Sequence, residues 1–145
     1  MPQLGITPLP ADAARPEGDG FLFRRTWRSG QGRLTKRPTN GLVIVLISPK
    51  HPEQAQVLRD WGDLVHISEI VAASVDGYRM ITPYEIDGDG PRFLHLYELD
   101  SDDPETTFKA MTPLVRARLD DEAYEQWAFH PELRIDYVST YRRLA

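Results

Sequence analysis

The chain's proton-transfer chemistry rests on four histidines and six tyrosines, because it contains no cysteine to act as a nucleophile. His66 stands three positions after Asp63, a helical spacing that lets a carboxylate fix an imidazole tautomer and raise its basicity. That pairing makes His66 a candidate general base; the plainer alternative is a helix-end histidine that caps carbonyls or meets a partner subunit. His95 and Tyr97 are i and i+2 on a strand and project from one face. An imidazole beside a phenol can abstract a proton and donate to a developing oxyanion. Tyr78, Tyr137 and Tyr141 line the same cavity if their strands share its face. Against this stands a sheet face with one satisfied histidine and tyrosines used as amphipathic core.

Other chemistries find less support. His51, His66, His95 and His130 are scattered without His-x-His or His-Glu-x-x-His spacing, so no metal site is expected. There is no Gly-x-Ser-x-Gly elbow for serine hydrolysis. Gly18-Asp19-Gly20 and Gly30-Gln31-Gly32 follow no strand and open no helix, which argues against a nucleotide cofactor. The expectation is a site without metal or organic cofactor.

The 145 residues suit one compact domain and carry 22 acidic against 17 basic side chains, a net charge of −5. The charge is uneven. Residues 1–40 hold seven basic groups (Arg15, Arg24, Arg25, Arg28, Arg33, Lys36, Arg37) against Asp12, Glu17 and Asp19, which leaves −9 on the remainder. Residues 1–40 therefore read as a basic, Pro- and Gly-rich arm on an acidic body, 41–145. The run Phe21-Leu22-Phe23-Arg24-Arg25-Thr26-Trp27-Arg28 interleaves aromatic and basic groups as a single-strand binder would. An acidic body repels phosphate backbones, however, so no nucleic-acid partner is expected. The arm is expected instead to cover the body, burying Phe21, Phe23 and Trp27 and aiming Arg24, Arg25 and Arg28 at carboxylates such as Asp100, Asp102 or Glu122. No apolar run approaches the ~20 residues of a membrane helix, and the start lacks a secretory pattern, so a cytoplasmic protein is expected.

The elements that must position these groups alternate along the body. Gly41 to Ser48 is a β-branched run closed by Pro49, suited to a central strand. From Pro52 the apolar period turns helical through Val57, Leu58, Trp61, Leu64 and Val65. Val75 to Glu85 reads as a strand with Tyr78, Met80, Thr82 and Tyr84 on one face. After the turn at Asp87-Gly88-Asp89-Gly90, Arg92 to Leu99 is its partner, with Phe93, His95, Tyr97 and Leu99 on one face and Leu96 on the other. Asp103 caps the next helix with Pro104 in its first position. Pro113 must kink that helix or restart it with Thr112 as cap. A short helix over 121–129 and a strand over 133–144 follow, the latter with Ile135, Tyr137, Ser139 and Tyr141 on one face. The order β-α-β-β-α-β predicts an α+β, ferredoxin-like antiparallel sheet of four strands with helices on one face. With helices on one face only, Phe93, Tyr97, Tyr78, Met80 and the buried first strand call for a second cover, which a two-fold partner would supply.

Three segments carry a family resemblance: Arg59-Asp60-Trp61-Gly62-Asp63-Leu64-Val65-His66-Ile67-Ser68-Glu69-Ile70, Val75-Asp76-Gly77-Tyr78-Arg79, and Gly88 to Leu99 ending in Tyr97-Glu98-Leu99. With its Trp-x4-His helix and its strand ending in Tyr-Glu, the chain resembles the EthD-like branch of the dimeric α/β-barrel superfamily. It departs at Gly62, where relatives often have a bulky aromatic residue, and in the long arm. The resemblance implies a homodimer with an apolar, aromatic-lined pocket in each subunit, to which Trp61, Tyr78, Phe93, Tyr137 and Tyr141 would contribute. It further implies cofactor-free acid–base chemistry on a small apolar or aromatic carbonyl compound, of cyclase, dehydratase or lyase type, with His66, His95, Tyr97 and Asp63 as catalytic candidates. A non-catalytic ligand-binding or interaction protein of the same fold is the alternative.

Overall fold

A computed structural model describes residues 3–10, 12–14, 18, 20–33 and 36–144. Arg15, Glu17 and Asp19, part of the arm's charge count, lie outside the described residues. The protein is α+β, built on one antiparallel sheet. Its strands are β1 (Phe23–Arg25), β2 (Gln31–Gly32), β3 (Gly41–Pro49), β4 (Tyr78–Ile86), β5 (Phe93–Leu99) and β6 (Leu133–Arg142). The order across the sheet is β1-β4-β5-β3-β6, with β2 also paired to β4. The apolar run of β3 sits between β5 and β6, in the middle of the sheet as its β-branched composition predicts.

Between β3 and β4 the chain is helical through α1 (Ala55–Trp61), a π-helical turn (Gly62–His66) and α2 (Ile67–Ala72). The second helical layer is α3 (Pro104–Lys109), α4 (Met111–Arg118) and α5 (Asp121–Ala128). Asp103 caps α3 by accepting from the Thr106 amide, with Pro104 in the first turn. The helix restarts at Met111, so Ala110 and not Thr112 is the capping position. Pro113 thereby falls in the first turn of α4, where amide groups lack an intrahelical acceptor anyway. Asp120 caps α5 by accepting from the Ala123 amide.

The helices cover one face of the sheet. Val43, Ile81, Tyr97 and Leu99 meet Ile67, Ile70, Met111, Val115 and Trp127 in one core, and Ile47 and Phe93 meet Leu58 and Trp61 in a second. Two irregularities change the expected faces. A register break at Arg79 pairs Tyr78 with Leu99 but Met80 with Glu98. Tyr78 consequently joins Tyr97 on the helix side, while Met80, Thr82 and Tyr84 pass to the other face. Phe93, Tyr97 and Tyr78 are therefore covered by the helices and need no second cover, contrary to expectation. A second shift between Leu46 and Ile47 pairs Tyr137 with Leu46 and Ile135 with Ile47, so these two do not share a face as expected. The uncovered face presents Leu42, Leu46, Leu94 and Leu96, all half-buried, beside Tyr137 and Tyr141.

The arm enters the sheet directly. Phe23, Arg24 and Arg25 pair with Ile86, Glu85 and Tyr84, and Gln31 and Gly32 pair with Ile81 and Met80. Gly32 (φ +150°) lies so close to the Arg79 carbonyl that a Cβ would fall 2.1 Å away, a backbone approach only glycine permits. The arginine partners differ from those expected: Arg24 bonds Asp87 at 2.6 Å, Arg28 bonds Asp60 and Asp63, and Arg25 lies over the Tyr84 ring. Edge pairing of β1 and β2 aims them at β4 and the π turn, away from Asp100, Asp102 and Glu122. Main-chain pairing also does the anchoring expected of aromatic burial, for Phe21 is 54% and Trp27 81% exposed.

Adjacent positions on α1 test the covered face. Leu58 is fully buried and Val57 48% exposed. Leu58→Ala costs about 2–5 kcal/mol in urea unfolding, whereas Val57→Ala changes stability by less than about 0.5 kcal/mol.

Candidate functional site

The π turn is the point where the helical layer meets the middle of β5. Gly62 packs on the His95 ring, where a Cβ would lie 3.0 Å from Cε1 and 3.2 Å from Nε2. That contact explains why glycine and not a bulky residue occupies the position. The turn is closed by the Ile67 amide donating to the Gly62 carbonyl, five residues back. The extra residue swings the following side chains away from ordinary helical neighbours. Asp63 and His66 therefore do not pair as their spacing predicts.

Asp63 turns toward the arm. Its carboxylate accepts from Arg28 at 3.0 Å with Arg59 at 4.0 Å, and its backbone carbonyl accepts from Gln31 Nε2 and Ser68 Oγ. Burial raises the Asp63 carboxyl despite the pull of Arg28, while Asp60, nearer the surface on the same guanidinium, is held below its usual range. Asp63 is thus an anchor for the arm, and its catalytic assignment has no geometric support at His66.

His66 turns inward between two indoles. Its ring stacks on Trp127 at 4.8 Å and lies 4.9 Å from Trp61. Nδ1–H donates to the Trp127 carbonyl at 2.8 Å, and Trp127 Nε1–H donates back to the His66 carbonyl at 3.0 Å. Because a carbonyl only accepts, Nδ1 carries the proton and the neutral ring's lone pair is on Nε2. Trp61 Nε1–H donates to the Gln126 carbonyl at 2.7 Å, so α5 is tied to the π turn by two hydrogen bonds and to the end of α1 by a third. Burial lowers the His66 pKa, with the Trp127 carbonyl opposing.

His95, on the helix-covered face of β5, is 3% exposed. Burial, with His66 nearby, depresses its pKa to about 3. Tyr97, on the same face, is 1% exposed and burial raises its pKa, as it does for Tyr78. The Tyr78 hydroxyl donates to the Phe108 carbonyl, and Phe108 meets Tyr97 edge-on at 5.7 Å. The interior thus gathers His66, His95, Tyr97, Trp61, Tyr78 and Phe93 on one side of the sheet.

Tyr137 and Tyr141 are not among them. They lie on the uncovered face with their hydroxyls in contact, because β6 pairs them with Leu46 and Leu42. Sequence reasoning missed Trp127, which holds His66, and gave Arg28 a carboxylate partner without identifying Asp63. An indole at the end of a helix and one arginine among seven basic arm groups carry no local mark of such partners. The helix–sheet interior is packed with aromatic rings, and two clefts lie elsewhere. One, of about 20 Å³, is between β2, α2 and β4; the other, of about 350 Å³, is between the arm and Glu85-Ile86-Asp87. Among the described residues, no group of three or more His, Asp or Glu side chains is placed to hold a metal ion, and no helix is long and apolar enough to cross a membrane.

Neutral burial of His95 has a pH signature. Its folded pKa lies below the unfolded 6.5, so its contribution to stability is complete above that pH and is lost as pH falls toward 3. Urea titrations at pH 8 and pH 5 differ by about 2 kcal/mol from this group alone. His95→Leu removes that share of the difference and leaves the part due to His66.

No protein-family model, curated protein or solved structure matches this chain.

Proposed function

We propose that this chain is a homodimeric, cofactor-independent enzyme of the EthD-like, dimeric α/β-barrel type, acting by acid–base chemistry on a small apolar or aromatic carbonyl compound. Three neutral proton-transfer groups, His66, His95 and Tyr97, held together in an apolar interior, carry this reading. His66 presents its basic Nε2 lone pair because Nδ1–H is held by Trp127. In the proposed step Nε2 takes a proton from the carbon next to the carbonyl, and the electron pair moves onto the carbonyl oxygen. The Tyr97 hydroxyl, kept protonated by burial, donates to that oxygen, and the proton is then returned or leaves with water. The neighbouring His95 remains neutral and polar without adding charge.

The β4-β5-β3-β6 order with helices on one face supports a ferredoxin-like layout, and the half-buried leucines opposite support a sheet-to-sheet homodimer. Sedimentation at micromolar concentration gives about twice the chain mass of 16.6 kDa. Leu96→Arg, a change on the uncovered face, returns the protein to a folded monomer. A wild-type monomer removes the sheet-to-sheet model.

Solvent-deuterium exchange into aryl β-dicarbonyl compounds, followed by NMR, tests the chemistry. Exchange is catalysed by the wild type, and His66→Gln and His95→Gln each slow it about 100-fold. Aromatic filling of the interior favours a second reading, a non-catalytic interaction protein of the same fold. No catalysed exchange in the wild type establishes that reading instead, and exchange indifferent to both variants removes His66 and His95 from the proposed step.

A further inference from the structure

We infer that residues 26–32 of the arm form a releasable strap across the seam between α2 and β4, and that freeing Arg28 from Asp60 and Asp63 opens the helix–sheet interior that holds His66 and His95. The strap's purpose rests on the proposed function, because a reactant enters a packed interior only when one wall moves. Its geometry stands on the arm alone.

At this seam the two layers do not close on each other completely. A cleft of about 20 Å³ remains, lined by Ile70 and Val71 of α2, Tyr78 and Ile81 of β4, and Gln31 and Gly32 of the arm. Ile70 and Ile81 belong to the core that also contains Tyr97 and Trp127, and Tyr78 packs against it. The arm thus lies where a small gap borders that core.

The strap's fastenings converge on one stretch of the helical layer. Arg28 bonds Asp60 and, at 3.0 Å, Asp63. Gln31 Nε2 donates to the Asp63 carbonyl at 2.7 Å, and Ser68 Oγ donates to Gln31 Oε1 at 3.1 Å. From the inner side α5 holds the same π turn through the reciprocal bonds of His66 and Trp127, while Gly62 rests on the His95 ring. The turn is therefore gripped from both sides, and its seat on β5 depends on both grips.

Of the two, the arm's grip is the one suited to release. Asp63 Oδ1 and Arg28 Nε are buried without a hydrogen-bond partner, so closing the clasp desolvates two charged groups that it satisfies only in part. Closure then yields little net free energy, since desolvation opposes the attraction. β2 adds two residue pairs at the edge of β4, whereas β1 keeps three and remains as the anchor. Gly30 and Gly32 flank Gln31 and give this stretch the backbone freedom to swing.

Hydrogen exchange of the Trp61 and Trp127 indole N–H groups, followed by NMR on the full-length protein, reads the opening, because both donate to carbonyls where α5 meets α1 and the π turn. Arg28→Ala and Gln31→Ala each speed exchange of both indoles about 10-fold, while the amides of Val43 to Val45 in central β3 change by less than about 2-fold. Should Arg28→Ala not fold, Gln31→Ala, which leaves the charges paired, decides alone. Arg24→Ala, at the Asp87 pair of the same arm, leaves the indole rates as they are. Three results overturn the strap: indole rates unchanged in the folded variants, β3 amides accelerated as much as the indoles, or Arg24→Ala acting as strongly as Arg28→Ala. The measurement uses no substrate, so faster indole exchange in a protein without catalysis refutes the proposed function and keeps the strap, and catalysis with unchanged indole exchange refutes the strap alone.

Discussion

The His95 imidazole lies against the bare backbone of Gly62, where a methyl group would come within 3.0 Å of the ring. Glycine within a helix is disfavoured by about 1 kcal/mol relative to alanine. Here it allows the helical layer to approach the centre of β5, and the chain widens into a π turn as it passes. From that turn Asp63 is sent toward the arm and His66 toward α5, so one close contact settles the surroundings of both. The arm then depends on Asp63 through Arg28 and Gln31, and α5 depends on His66 and Trp61 through its main-chain carbonyls.

Titratable groups are divided between two environments with opposite logic. On the helix-covered face, His66, His95, Tyr78 and Tyr97 are desolvated and held neutral, with hydrogen bonds to carbonyls for His66 and Tyr78. A neutral buried group avoids the large cost of an unpaired charge, at the expense of stability in acid. On the arm side, arginines and carboxylates stay ionised in pairs. The Arg28–Asp63 pair is the least exposed of them, at 12% and 3% of the side chains. Such a pair is weak evidence for net stability, because desolvation opposes attraction; what it does supply is a defined position for the arm.

The arm extends the sheet beyond β4 and leaves β6 as the opposite edge. Main-chain pairing of β1 and β2 anchors the arm without burying Trp27, which leaves an indole and a guanidinium at the rim of a cleft. On the uncovered sheet face, leucines from β3 and β5 remain half-buried in the single chain. These are two distinct surfaces, one polar and concave, the other apolar and broad.

Much of the architecture is legible in the sequence because it is encoded locally. The β-branched run of β3, the alternation of Phe93, His95, Tyr97 and Leu99, the Asp103–Pro104 start of α3 and the charge contrast of the arm each follow from neighbours along the chain. Gly62 was visible as a departure, but its reason, a histidine 33 positions later, was not. Faces after Arg79 and after the Leu46–Ile47 shift were also beyond reach, since one inserted residue inverts a period of two and leaves no mark in composition. The same holds for partners: Asp63 and His66 have the right spacing to meet on a regular helix, and a π turn set by tertiary packing separates them. Local periodicity and capping determine which elements form; which side chains share a site is decided by contacts between residues far apart in the chain, whose energies no local window contains.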